Sequence, residues 1–574
     1  MRVNARVDAD GERDGRCGRG GRRDRRLSPP SPPRRRCGRF HAVAGDRAGG
    51  SSGRIARRRV RVSSAAMTFS PGLAAVREGR AVKPSNPIRE AWIRRRLILG
   101  LLTAFAAGSC LAQEKAADGG LKTSDFPDLK AALEAWAKVG GTLVVDRDYD
   151  FAVPVTVIVL PNLSYLLKTD GARTLRYVGP PYHWALSIYS EGKTPVRIEG
   201  RLTIDGTNRV CIPFYAKFDK VDGELRRDFV VDGLTCRNAR MAPVISPIDG
   251  ARVNLYGACG MLFAGGFDHL SLRHVAVENV TRAPGAGTPF LQGCVGIGVT
   301  AKLGGTTSAR HVAIEDFTVV RVDSEDAPRS DRRVDMDGVL VFQSEERGGT
   351  RPLIQRGVIR EAAGRAVKVF APGGGGTTRQ LQIYRSVPST VSGAVEIDHQ
   401  HGDGLIADID ISYSGRAHIT PTTVIGMGST GARARGFPYA AGEVRDIRIR
   451  DRTGTPKLVL VSVYSSATDP SPRAFALTRI SDDGTVRNLL MTGALGNYGP
   501  VKVTLDEIDV NLTVSVVVSD DPTQLLSVRA RRSIFSRGRP VRIKARHDGA
   551  KVFIGREIRA DVDATVKGLD MLAR

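Results

Sequence analysis

The sequence predicts an all-β chain built as a parallel β-helix solenoid with an N-terminal capping helix. Three observations carry this. Short strand-like segments recur at a nearly fixed period: from Val341 to Lys368 is 27 residues and from there to Glu396 is 28. Each segment alternates an apolar residue with a free one, so none can bury its face alone, and stacking is what buries it. Helical patterns between the segments are absent, which argues against strands joined by crossover helices.

The 574 residues carry a net charge of +26, distributed unevenly. Residues 1–112 hold 26 Lys and Arg against 8 Asp and Glu, a net of +18, so the remainder is only +8. A body of mixed charge with few aromatics points away from nucleic-acid binding. Residues 1–66 are rich in Arg, Gly, Ser and Pro without apolar periodicity, and read as a disordered basic segment or as sequence upstream of a true start at Met67. Residues 67–112 read as an export-signal region. Arg94-Arg95-Arg96 precede the run LILGLLTAFAAGSCLA, too short for a comfortable membrane span, with small residues near Ala112 suiting cleavage before Gln113. RRRLI also resembles a twin-arginine signal. The expected location is periplasmic or extracellular, with a lipoprotein anchor at Cys110 as the alternative and no transmembrane anchor in the mature chain.

The capping helix is expected in SDFPDLKAALEAWAKVGG, from Ser124 to Gly141. Ser124 or Asp125 suits its N-cap, Pro127 its first turn, and Gly140-Gly141 its end. Leu129, Ala132, Leu133 and Trp136 form one apolar face. TLVVDRDYDF follows as the first strand, and the helix covers the open end that a solenoid would otherwise expose. The body is expected over residues 113–470. One set of strands includes VRIEGRLTIDG, DFVVDGLTC, VAIEDFTVV and IADIDISY; an interleaved set includes GMLFAGG, VGIGVTAK, GVLVFQ, RAVKVFA and GAVEID. Beyond about Asp469 the repeat blurs, and residues 471–574 read either as irregular terminal coils or as a small β cap.

Four cysteines follow the leader: Cys211, Cys236, Cys259 and Cys294. Separations of 25 and 23 residues between the first three are each about one coil, which permits disulfides between coils. Free, inward-packed thiols fit equally.

The capping segment, RIEGRLTIDGTN at 197–208 and the coil register together resemble the right-handed β-helices of the pectin-lyase-like superfamily, over roughly residues 121–470. That resemblance implies a right-handed coil and a carbohydrate-active or carbohydrate-binding role; its members include polygalacturonase-type hydrolases, polysaccharide lyases, epimerases and surface-binding proteins. The NTDG segment of the polygalacturonases falls on DMDG at 335–338, so Asp337 matches its Asp. Their paired Asp-Asp would fall on Gly364-Arg365 and their Gly-His-Gly on 392–395, where this chain has neither. Hydrolysis would therefore need another carboxylate pair, for which Asp335 and Asp337 are the candidates.

An acidic polysaccharide cleaved by elimination, or epimerised, is the leading expectation. It needs a base beside the uronate carboxylate and cations for the charge that develops. Lys368 is expected to face outward between inward Val367 and Val369, with Arg365 nearby and Glu396 placed beside it by register. The densest polar run is EIDHQHGDG, in which Asp398 is expected to continue the outward row of Gln343 and Phe370, with Glu396, His399 and His401 around it. Catalytic roles fall to Asp337, Lys368, Asp398 and His399, and substrate contacts to Arg365, Glu396, His401 and Asp335. The acidic residues also suit Ca2+. A non-catalytic polysaccharide-binding solenoid is the rival reading, and the sequence leaves the oligomeric state open.

Overall fold

Alternation of side chains decides the architecture. In Val155–Val159 the three valines are buried and the residues between them exposed, so one face of the strand must meet other strands across a core. The computed structural model describes residues 120–190, 195–218, 228–241, 244–245, 252–253, 257–282, 294–300, 309–324, 336–342, 351–371, 376–386, 395–400, 404–414, 423–429, 442–465, 473–494, 501–519, 526–538, 541–547, 551–552, 559–562, 565–567 and 569–570. Residues 1–119, with Cys110, lie outside them.

The chain is a parallel β-helix. Each coil contributes a strand to each of two stacks. The first stack includes Tyr165–Tyr177, Val196–Asp205, Phe229–Met241, His311–Ser324, Leu353–Ala362, Thr377–Arg385, Gly404–Tyr413 and Gly442–Asp451. The second includes Tyr182–Ser190, Val210–Phe218, Ala258–Gly265, Cys294–Thr300, Met336–Phe342, Arg365–Phe370, Val395–Gln400, Thr423–Ser429 and Lys457–Ser465. Successive members of each stack pair in parallel register, with His269–Arg273 and Ala276–Arg282 standing between Phe229–Met241 and His311–Ser324. One continuous apolar core runs between them from Leu121 to Val541.

Coils turn a corner inside the first-stack strands. Asp316, Arg356, Gln380, Asp408, Asp446, Arg479, Glu507 and Arg532 all adopt left-handed backbone, with φ between 44° and 57°. Each such residue costs about 1 kcal/mol. Stacked opposite charges offset part of that cost, as where Arg356 Nε and Nη2 grip Asp316 at 2.7 and 2.9 Å.

The capping helix α1, Leu129–Val139, starts later than its sequence suggests. Asp128 is the N-cap, its carboxylate accepting from Ala131 N at 2.7 Å. Ser124 and Asp125 belong instead to a 3-10 turn, and Pro127 precedes the helix. The expected apolar face is buried; Trp136 meets the edge of Tyr165 at 5.3 Å between ring centres. Among the described residues no helix is long and apolar enough to cross a membrane.

Cys211, Cys236, Cys259 and Cys294 are buried and not joined in disulfides. Burial pushes the Cys259 thiol up to about 12 and raises those of Cys236 and Cys294, which makes these three poor nucleophiles. Beyond residue 470 parallel pairing continues through Arg473–Ala494, Val501–Ser519 and Leu526–Arg531. Register shifts between Ser481 and Thr485, and again between Val486 and Asn488, account for the blurred repeat there.

Candidate functional site

The candidate site is the outer face of the second stack across three consecutive strands, Met336–Phe342, Arg365–Phe370 and Val395–Gln400. Val339, Val341, Val367, Val369 and Ile397 fill the core, so Leu340, Lys368 and Asp398, which alternate with them, point outward. Ala366 and Val367 are both in the core, which shifts the alternation by one and leaves Arg365, with Asp337 beside it, on the outer face. Register sets Asp337 beside Arg365, Leu340 beside Lys368, and Lys368 beside Asp398. Gly364 permits the tight entry to the middle strand. A β-carbon there would lie 2.7 Å from the Met336 carbonyl oxygen, to which Gly364 N donates at 2.9 Å.

Arg365 holds the outer cluster together. Its Nη1 lies 3.3 Å from Asp337 Oδ1 and its Nε 3.5 Å from Asp398 Oδ2. The two carboxylates are almost wholly buried, at 0% and 2%, whereas the guanidinium side chain keeps 21% of its surface. Lys368 points outward as expected but retains only 9% exposure. Beside them the half-buried rings of Phe342 and Phe370 stack with centroids 4.4 Å apart and planes 2° from parallel. Stacked rings and paired charges on one face suit a sugar chain, whose apolar ring faces and polar rim need both.

Four of the expected site residues are therefore brought together: Asp337, Arg365, Lys368 and Asp398. Two others face the opposite way. Glu396 was expected beside Lys368, but Asp398 occupies that position. The coil between the two strands is 30 residues long, not 28, which sets Asp398 beside Lys368, and Glu396 lies in the interior at 0% exposure. Val341 likewise pairs with Val369, not Lys368, so Val341, Lys368 and Glu396 lie on adjacent strands without sharing a row. Asp398 also leaves the expected row of Phe370, which pairs with Gln400. His399 pairs with Val369, is fully buried, and meets Thr378 Oγ1 through Nε2 at 2.8 Å. Burial lowers its pKa to about 4, against a weaker opposing pull from Asp398. It is a neutral core histidine and not the proton carrier expected in a groove. Asp335, Gln343 and His401 lie outside the described residues.

Sequence reasoning missed the interior partners. Arg385 Nη2 donates to Glu396 Oε1 at 2.8 Å and to the Gly364 carbonyl at 3.2 Å, and Tyr413 Oη donates to Glu396 Oε2 at 3.1 Å. Burial alone would lower the pKa of Arg385, but the adjacent Glu396 carboxylate outweighs it and keeps the guanidinium charged. Burial, reinforced by Glu396, holds the Tyr413 hydroxyl well above its ordinary range.

Ca2+ does not fit the described donors. No group of three or more acidic, histidine or cysteine side chains among them converges on a cation position. Between Asp337 and Asp398 the positive charge is already that of Arg365.

No family model matches the chain, and no curated protein matches it. Among solved structures the chain is similar to the catalytic unit of a thermostable GH87 alpha-1,3-glucanase from Streptomyces thermodiastaticus strain HF3-3. The identity is 12% and the TM-score 0.36, over 80% of this chain and 70% of that one.

Proposed function

We propose that the protein is an exported enzyme that cleaves an acidic polysaccharide by β-elimination, or epimerises it, on the outer face around Arg365. The observation that carries this reading is one partly exposed guanidinium held by two buried carboxylates, next to Lys368 and the Phe342–Phe370 stack. A positioned arginine recognises a carboxylate through its planar fork. On that face it pairs with the uronate carboxyl and stabilises the charge that grows there when the neighbouring carbon loses its proton. Lys368 is the base assigned to that proton. The freed electron pair forms the new carbon–carbon double bond, and the glycosidic oxygen leaves with a proton from solvent. Asp337 and Asp398 orient Arg365, and Phe342 and Phe370 support a sugar ring.

A glycoside hydrolase is the second reading, because Asp337 and Asp398 face the same surface and meet the same guanidinium. Such a reaction ordinarily uses two carboxyl groups flanking the bond.

The test is a screen of uronate-containing glycans, with neutral glycans as controls, for unsaturated ends by ultraviolet absorbance and for new reducing ends. Unsaturated ends support elimination. Reducing ends alone move the assignment to hydrolysis, and retained binding without either product makes the chain a binding solenoid. Arg365→Ala is expected to lower kcat/KM about 100-fold or more, the usual size for losing a charge-stabilising donor. Undiminished turnover in that variant would remove the site.

A further inference from the structure

We infer that Arg385, Glu396 and Tyr413 are positioning residues that hold the outer cluster in place from inside the coil; this rests on the reading of that cluster given above. Gly364, whose carbonyl accepts from Arg385, immediately precedes Arg365. Glu396, which accepts from both Arg385 and Tyr413, stands two residues before Asp398. A single nitrogen of Arg385 therefore ties the strand carrying Arg365 to the strand carrying Asp398. The outer strand is anchored on both sides of Asp398, since His399, the next residue, is bound inward to Thr378.

Stability alone does not account for the arrangement. A buried ion pair is usually no more stabilising than apolar side chains of the same volume. The neighbouring inward positions, Leu381, Ile383, Ile409 and Ile411, are apolar and fully buried. What the polar group supplies and leucines would not is a fixed offset between two particular strands. That offset matters because the Arg365 pairs, at 3.3 and 3.5 Å, have little distance to spare. A displacement of ~1 Å at a reacting centre can cost about 100-fold in rate.

The test uses the full chain with Tyr413→Phe, which removes one hydroxyl and keeps the ring, and Arg385→Lys, which keeps the charge but loses the fork. Ser533→Ala is the control. Ser533 is buried in a distant coil, accepting from Ile508 N at 3.1 Å. Hydrogen–deuterium exchange is read in peptides covering 364–370 and 395–399, with 294–300 as reference. Tyr413→Phe is expected to speed exchange in the first two and not in the third, and Arg385→Lys to do so further. On a glycan that the wild type cleaves, Tyr413→Phe is expected to lower kcat about tenfold with KM within about twofold, a positioning loss and not a binding one. Ser533→Ala is expected to lower Tm without either change. Exchange that stays at the wild-type rate, or rises evenly along the chain, would overturn the inference. If exchange rises only in the two strands while the wild type cleaves no acidic glycan, the positioning stands and the proposed activity falls. Should Arg385→Lys fail to fold, Tyr413→Phe decides alone.

Discussion

Two buried charge clusters occupy adjacent coils, and they are built differently. Arg385, Glu396 and Tyr413 bond across coils, reaching the backbone at Gly364 as well. Lys457, Asp451 and Asp482 mostly close turns. Lys457 Nζ bonds Asp451 Oδ2 and lies 3.2 Å from Asp482 Oδ2. Asp451 Oδ1 accepts from Thr453 N at 2.9 Å, and Asp482 Oδ1 from Gly484 N at 2.9 Å. Burial would raise the pKa of Asp451, but hydrogen bonds from Lys457 and Thr453 outweigh it and hold it below the usual range. Burial wins at Asp482, whose pKa is raised. Equal burial thus hides two tasks: one cluster compensates charges at the chain's own bends, and the other fixes the spacing of strands whose outer faces carry Arg365 and Asp398.

The largest effect should come from the turn-closing cluster, where Lys457 is fully buried between two carboxylates. Lys457→Met leaves those carboxylates uncompensated and is expected to cost ~3–5 kcal/mol in urea unfolding. The folded fraction should keep the wild-type kcat. A fall in kcat without unfolding would erase the distinction between the clusters.

Much of this was open to reading in the sequence, and particular residues show where it stopped. Period and alternation identify the coil, because a stacked strand must present an apolar residue inward at every second position. The inward rows Leu381–Ile383, Ile409–Ile411 and Ile447–Ile449 each continue, one step on, to Arg385, Tyr413 and Asp451, and all are buried. The pattern for an interior polar column was therefore present, but a polar residue at the end of a strand reads as a turn. The EIDH run misled for the complementary reason. Its residues are polar on both faces, so alternation could not orient them, and a two-residue difference in coil length put Asp398, not Glu396, beside Lys368. Asp337, Arg365, Lys368 and Asp398 could be named, but their meeting depends on register, which no single segment encodes.

Acid tests the inner tie from a second direction. His399 has its pKa lowered to about 4 by burial, below the ordinary unfolded value of about 6.5. The unfolded chain therefore takes up the proton first as pH falls. Stability due to this residue is fully present above about pH 6.5 and is lost progressively towards pH 4. Between pH 7 and pH 5 the expected loss is about 2 kcal/mol, read as a lower urea midpoint. His399→Gln should remove that part of the pH slope. A slope equal in wild type and variant would mean that other groups carry it, and the histidine would no longer count as an anchor of the strand bearing Asp398.

The smallest effect is expected outside the coil, on the ladder that covers the first stack. Gln355 is nearly buried there; its amide nitrogen donates to Glu315 Oε1, and its oxygen accepts from Arg379 Nε at 2.8 Å. Arg273 Nε reaches the other Glu315 oxygen at 3.2 Å. This row resembles the Arg365 cluster in composition but differs in what remains when one member is removed. Arg273 and Arg356 are about half exposed, with 55% and 41% of their side chains in solvent, so water can replace a lost partner. Gln355→Ala should therefore cost only about 1 kcal/mol, the net value of an ordinary hydrogen bond, and leave glycan cleavage unchanged. A loss as large as that expected for Lys457→Met would show that the half-exposed ladder stabilises the coil as much as a fully buried cluster does. Burial would then no longer separate the charges that hold the coil from those that only cover it.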